Sequence, residues 1–82
     1  MRKGVDKYYL IAFGLRMKEL RKEKKISQED LMLKAGLSKN QVGLIERGEI
    51  NTTIDTVRKI AEVLDIPIEE LFKFQHKKKK NK

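Results

Sequence analysis

The stretch SKNQVGLIERG, residues 38–48, decides how this chain is read. At about 100° per residue, Val42 and Ile45 fall on one narrow apolar stripe. Lys39, Asn40, Gly43, Leu44 and Arg47 fall on the opposite arc, which is cationic and amide-bearing with one glycine and one leucine. Ser38 is a suitable N-cap, Gln41 three residues on would complete a capping box, and Gly48 stands where a helix stops. The pattern predicts about two and a half helical turns, capped at both ends, whose outer face is free for something other than the core.

Working outward, the chain reads as five helices and no strands. Helix 1 is expected from about Lys7 to Lys24, with Leu10, Phe13, Met17 and Leu20 repeating at helical spacing. Helix 2 is expected to start at Ser27 as N-cap, with Asp30 as its capping-box partner, and to end near Ala35. Gly36 then reverses the chain in the left-handed region that glycine adopts freely. The stretch 38–48 is helix 3. Helix 4 is expected from a cap at Thr52 or Thr53 to Leu64, with Ile54, Val57, Ile60, Ala61 and Leu64 inward. A short helix 5 follows Pro67, with Glu69 and Glu70 complementing its N-terminal dipole and Leu71 and Phe72 apolar. Helices 2 and 3 are joined by only GLS. Two short helices, a glycine turn and a polar outer face on the second point to a helix-turn-helix. There is no internal repeat.

The domain division expected is an N-terminal extension at 1–9 leading into helix 1, a helix-turn-helix domain at 10–74, and a disordered basic tail at 75–82. The 82 residues suffice for one small domain. Cysteine is absent, so neither a disulfide nor a thiolate metal site is expected. His76, the sole histidine, lies beside a lysine run and is expected to be solvated; no metal and no cofactor is anticipated. No apolar run reaches membrane-spanning length. The start MRKGVDKYYLIAFGL faintly imitates a signal peptide. Its apolar part is only eight residues, Tyr8 to Leu15, and it runs straight into RMKELRKEKK, so a cytoplasmic protein is the better reading.

The net charge of +8 is unevenly spread. Residues 1–25 carry nine Lys/Arg against three acids, or +6; residues 48–72 carry two against six, or −4. The tail from Lys77 to Lys82 adds five lysines. Any single lysine is ordinary solvated surface. A basic end opposite an acidic one is better explained by a polyanion on one side.

LRMKELRKEKKISQEDLMLKAGLSKNQVGLIERGEINTTIDTVRKIAEVLDIPIEELF resembles the lambda-repressor-like (Cro/phage-repressor) helix-turn-helix domains. Within them it is most similar to the controller proteins of restriction–modification systems and to small one-domain repressors. The likeness covers about residues 10 to 74, and its most specific parts are LRKEKKISQEDL, KAGLS and IERGEINTTIDTVRKIAEVLDI. It implies an all-α DNA-binding fold and a role for each matching position. Lys39, Asn40, Gly43 and Leu44 match base-facing positions. Gln28 would bind a phosphate together with neighbouring backbone N–H groups. Ser27, Ser38, Arg47, Asn51 and Thr52 match positions near the DNA backbone. Arg21 and Glu46 match a partly buried ion pair tying helix 1 to helix 3, and Leu31, Ala35, Leu37, Val42 and Ile45 match the core. Met32 departs from the pattern, since that position is usually small where helices 2 and 3 cross. Either the methionine bends into a local gap or the two helices sit further apart.

The function implied is a sequence-specific double-stranded-DNA-binding transcriptional regulator, a homodimer on a palindromic operator, such as a restriction–modification controller or a repressor. One short recognition helix makes too few base contacts alone, and a two-fold axis doubles them, with half-sites about 34 Å apart. The dimer surface expected is the acidic, apolar region of helices 4 and 5, with Ile50, Ile66, Ile68, Phe72 and Phe74 as candidates. Of the apolar residues there, Ile66 and Leu71 fit the monomer core better. A second apolar stripe on helix 1, Tyr8, Ile11 and Leu15, would cover either helix 5 or a partner subunit. The partners implied are duplex DNA, a second copy of the chain and RNA polymerase, with no membrane and no small-molecule ligand. The alternative from a different class is an antitoxin that masks a toxin and autoregulates its operon. Enzyme chemistry is not expected. There is no Ser/His/Asp set, no carboxylate pair in a plausible cleft, no phosphate loop and no metal cluster.

Overall fold

In the computed structural model, which describes residues 4–75, four α-helices follow one another: α1 (Lys7–Glu23), α2 (Gln28–Ala35), α3 (Gln41–Glu46) and α4 (Ile54–Leu64). Among the described residues, a 3-10 helix at Ile68–Phe72 is the last element and no strand occurs. All of the expected basic tail after Gln75, His76 included, lies outside the described residues.

Local chemistry accounts for most of the boundaries. The Asp6 carboxylate accepts from the backbone N–H of Tyr8 and Tyr9 and starts α1. Ser27 Oγ accepts from Asp30 N at 3.0 Å and starts α2. Gly36 ends α2 at φ 68°, with its N–H on the Met32 carbonyl. Thr53, not Thr52, caps α4: its hydroxyl accepts from Thr56 N at 3.1 Å.

Three expectations are corrected. The fifth helix is a 3-10 helix. The five residues Ile68–Phe72, which follow the extended Pro67 and include the buried Leu71, are too few for an α ladder, and the tighter i→i+3 turn, as in Glu70 N to Pro67 O, serves instead. Helix 3 is shorter than its pattern suggested. Residues 38–41 form a turn closed by Gln41 N on the Ser38 carbonyl, and the cap position falls to Asn40. Of the expected capping box only the reciprocal half forms, Ser38 N–H donating to Gln41 Oε1 at 3.2 Å. Ile54, expected inward, is 83 % exposed, because it opens α4 at the margin of the inward arc while Thr56 takes the buried position.

The core gathers Phe13, Met17 and Leu20 of α1, Leu31 and Ala35 of α2, Val42 and Ile45 of α3, Val57, Ile60, Ala61 and Leu64 of α4, and Leu71. Ile66 packs at its edge, as expected. The closest contact in the fold went unread in the sequence. Gly14 lies against the backbone of Ile45 and Glu46 so tightly that a Cβ would overlap their carbonyl groups. Gly48 is doubly constrained, at φ 71° and with Ile11 2.6 Å from where a Cβ would stand. Two glycines thus let α1 lie directly on the end of α3.

Candidate nucleic-acid interface

α3 ends in a Schellman arrangement. Gly48 N bonds the Ile45 carbonyl at 3.0 Å and Glu49 N bonds the Leu44 carbonyl at 2.9 Å. Its inner residues, Val42 and Ile45, are 1 % and 2 % exposed, so the orientation of the helix about its own axis is set by the core. The outward arc is then presented as one surface. Gln28, Lys39, Asn40, Gly43, Leu44 and Arg47 line a single open groove of about 350 Å³. The four residues expected to face bases are all in it, with Gln28 and Arg47 at its borders.

Within this groove Asn40 occupies the cap position of α3 yet makes no side-chain capping bond, which leaves its amide available. Leu44 is half-buried and does not belong to the core cluster. Arg47 donates through Nε to Glu49 Oε2 at 2.9 Å and through Nη2 to Glu49 Oε1 at 3.5 Å. This carboxylate raises the Arg47 pKa above its ordinary value, first by hydrogen bonding and then by charge. The guanidinium folds back across α3, with Nη1 3.1 Å from where a Cβ on Gly43 would be.

Beneath the groove lies a buried polar knot. Arg21 and Glu46, 7 % and 4 % exposed, are paired through Arg21 Nε to Glu46 Oε2 at 2.7 Å and Nη2 to Oε1 at 3.2 Å. Arg21 Nη1 donates to the Ile26 carbonyl at 2.8 Å. Gln28 Nε2 adds a bond to Glu46 Oε1 at 2.9 Å. The expected ion pair is therefore present, and Gln28 joins it to the start of α2. Gln28 also lines the groove, and its amide keeps a second hydrogen beyond the one given to Glu46, so the two roles are compatible.

Met32 is partly buried against the core and lines a cleft of about 230 Å³ between α2 and α3, with Gln28, Glu29, Lys39 and Val42. The flexible side chain sits at the crossing where a small residue is usual.

The remaining expected site residues are placed less uniformly. Ser27, Ser38 and Asn51 are exposed. Thr52 is different: its Oγ1 is buried without a hydrogen-bond partner, so the structure does not bring that hydroxyl to the surface. Among the dimer candidates, Ile68 and Phe72 are 39 % and 44 % exposed. Ile50 and Phe74 pack against the core, Phe74 stacking edge-on to Tyr9 at 5.1 Å and Phe72 lying 5.2 Å from Phe13. Sequence reasoning missed Glu49, the acid two positions beyond Arg47, and Gly14, a glycine interrupting a strong helical pattern; the second is the kind of signal that asks for a packing reason. No helix is long and apolar enough to cross a membrane, and no group of metal-ligating side chains occurs among the described residues.

Residues 17–71 match the family model described as Helix-turn-helix. The restriction-modification controller protein C.AhdI from Aeromonas hydrophila superposes with a TM-score of 0.75 at 44 % identity, covering 77 % of this chain and 96 % of that one. Control protein C.MunI from Mycoplasma sp is 38 % identical over 63 residues, 76 % of this chain and 85 % of that protein. The HTH-type transcriptional regulator SinR from Bacillus subtilis is 38 % identical over 64 residues, 77 % of this chain but 58 % of SinR. SinR in a crystal structure with DNA superposes with a TM-score of 0.69 at 38 % identity, covering 73 % of this chain and 97 % of that one. The chain thus spans little more than half the length of SinR.

Proposed function

Because this chain belongs to the helix-turn-helix family, we propose that it is a sequence-specific regulator of transcription that binds double-stranded DNA as a homodimer on a palindromic operator, in the manner of a restriction–modification controller. One observation carries the reading. The groove on α3 gathers Lys39, Asn40, Gly43, Leu44 and Arg47 on a face held in orientation by the buried Val42 and Ile45. A short helix offering a cation, an unengaged amide and an apolar side chain suits the major groove, which presents base acceptors, donors and thymine methyls. Gln28 lines the same groove, and in this reading it and the exposed Ser27, Ser38 and Asn51 meet the phosphates. The likeness to two controller proteins over most of their lengths supports the controller-type reading.

In this reading Lys39, Asn40, Gly43 and Leu44 face bases, and exposed Ile68 and Phe72 belong to the surface between two copies. The protein acts in the cytoplasm, where its operator is. Selection of binding sites from random duplex DNA tests all of this at once. A palindrome with half-sites about one helical turn apart is the expected result. Selected sites without two-fold symmetry would overturn the homodimer, and absence of any selection would overturn sequence-specific binding.

A further inference from the structure

The resemblance that places Arg47 beside the DNA backbone does not account for its geometry. A phosphate-binding arginine needs only reach, and a flexible solvated side chain provides that. Arg47 is instead held at one edge: Glu49 takes the Nε and Nη2 side of the guanidinium. Two of the five donors are engaged, and those of Nη1 with the second hydrogen of Nη2 are left over. The held guanidinium does not point away from the helix. It lies back over Gly43, in the groove that Lys39, Asn40 and Leu44 also line.

We propose that Glu49 is a positioning residue that presents the free Nη1/Nη2 edge of Arg47 to a guanine in the operator, making Arg47 a base reader. The inference rests on the DNA-binding function proposed above and names a base and a residue pair within it. The chemistry is direct. The outer edge of a guanidinium matches guanine O6 and N7 in a bidentate pair, the commonest specific contact in the major groove. Such readout depends on orientation, because a free arginine bonds equally well to any phosphate. A carboxylate on the opposite edge restricts the rotation of the fork, so less freedom is lost on binding. The same carboxylate repels phosphates and makes a non-specific contact by Arg47 less favourable. Gly43 supports the arrangement, since a side chain there would crowd Nη1. The pair is exposed in the free protein, 59 % for the Arg47 side chain and 51 % for Glu49, and so contributes little to folding. Its effect is expected when duplex DNA covers it and excludes water.

The test measures binding of the full chain to its selected operator, to random duplex, and to operators carrying 7-deazaguanine at single positions, which removes N7 and keeps Watson–Crick pairing. Wild-type protein should lose about tenfold in affinity at one guanine per half-site. Arg47→Ala should be almost indifferent to that replacement. Glu49→Ala should lose most of the discrimination while binding random DNA at least as tightly as wild type. The Glu49 backbone N–H still caps α3 in this variant, so folding is expected to be unaffected. Three results would overturn the proposal. One is Glu49→Ala tightening on every sequence equally with its 7-deazaguanine sensitivity intact, the behaviour of a mere competitor for phosphate. Another is Arg47→Ala weakening all sequences uniformly. The third is a selected operator without such a guanine. A wild-type protein that binds no duplex DNA would overturn the underlying function itself.

Discussion

Arg21 of α1 and Glu46 at the end of α3 form a buried, doubly bonded ion pair, with its shorter bond 2.7 Å long, and Gln28 at the start of α2 bonds the same carboxylate. Three helices meet at one acid. Either charge alone would be buried without its counter-ion, so Arg21→Met or Glu46→Leu should each cost about 3–5 kcal/mol. The double variant should recover much of that loss, since two well-packed apolar side chains leave no orphan charge. Urea unfolding of the four proteins in a mutant cycle measures the coupling. Additive losses would mean that the two residues act separately.

Gly14→Ala should destabilise although alanine is the better helix former by about 1 kcal/mol. The added Cβ meets the backbone of Ile45 and Glu46, which cannot swing aside as a side chain can. Overpacking of this kind costs about 1–3 kcal/mol, occasionally more, so a net loss of up to about 2 kcal/mol is expected. The same substitution should weaken operator binding beyond what the stability loss explains, because α3 must shift to relieve it. Gain of stability in urea would show that the helices can separate freely.

Asn40 and the lysines at 77–82 should differ in kind. Asn40→Ala should lose about 1–3 kcal/mol of operator affinity and relax the preference at one base pair, an adenine if the amide bonds in two places. Deleting 77–82 should weaken operator and random DNA about equally and flatten the dependence on salt. Binding isotherms across a salt series separate the two behaviours. A change of sequence preference on deleting 77–82 would mean that the reading surface is elsewhere.

Leu44 cannot hydrogen-bond to a base edge, but it can pack on a thymine methyl from the groove it shares with Lys39 and Asn40. Burying about 40 Å² of apolar surface there is worth on the order of 1 kcal/mol. Uracil in place of that thymine keeps every hydrogen bond and removes only the methyl. The replacement should weaken wild-type binding several-fold and leave Leu44→Ala nearly unchanged. Equal losses in both proteins would return Leu44 to ordinary surface.

Asp55, in the first turn of α4, is held below the usual carboxylate range by its hydrogen bond and charge interaction with Arg58, with Lys59 adding to both. Glu70 is lowered similarly, first by its hydrogen bond to Lys73 and also by Arg16. A folded-state pKa below the unfolded one means stability that is present above the unfolded value, about pH 4, and lost as pH falls through the folded value. Asp55 is exposed and Glu70 lies half-buried at the surface, and the effect should be small. Asp55→Asn should flatten the decline in urea midpoint below about pH 4 while leaving the slope near neutrality alone. An unchanged acid limb would assign the decline to other carboxylates.

The helical character of the chain, the glycine turn at Gly36, the pairing of Arg21 with Glu46 and the outward arc of α3 were all legible in the sequence. The helices, the glycine turn and the outward arc depend on neighbours along the chain or on residue types at helical spacing; the pairing of Arg21 with Glu46, far apart in the chain, was implied by the family resemblance. Local patterns also misled. Only half of the capping box from Ser38 to Gln41 forms, the Gln41 side chain accepting from Ser38 N–H, while Gln41 N bonds the Ser38 carbonyl and not its hydroxyl, and the cap falls to Asn40. Ile54 has the spacing of an inward residue and yet is exposed, because nothing packs over the first turn of α4 at that angle. Only the tertiary structure decided that Gly14 brings α1 onto the backbone of α3, that Gln28 shares the carboxylate of Glu46, and that Glu49 turns the Arg47 guanidinium over Gly43. Periodicity tells which side of a helix is apolar. How close two helices lie, and which polar atoms then come within bonding distance, follows from packing between segments far apart in the chain.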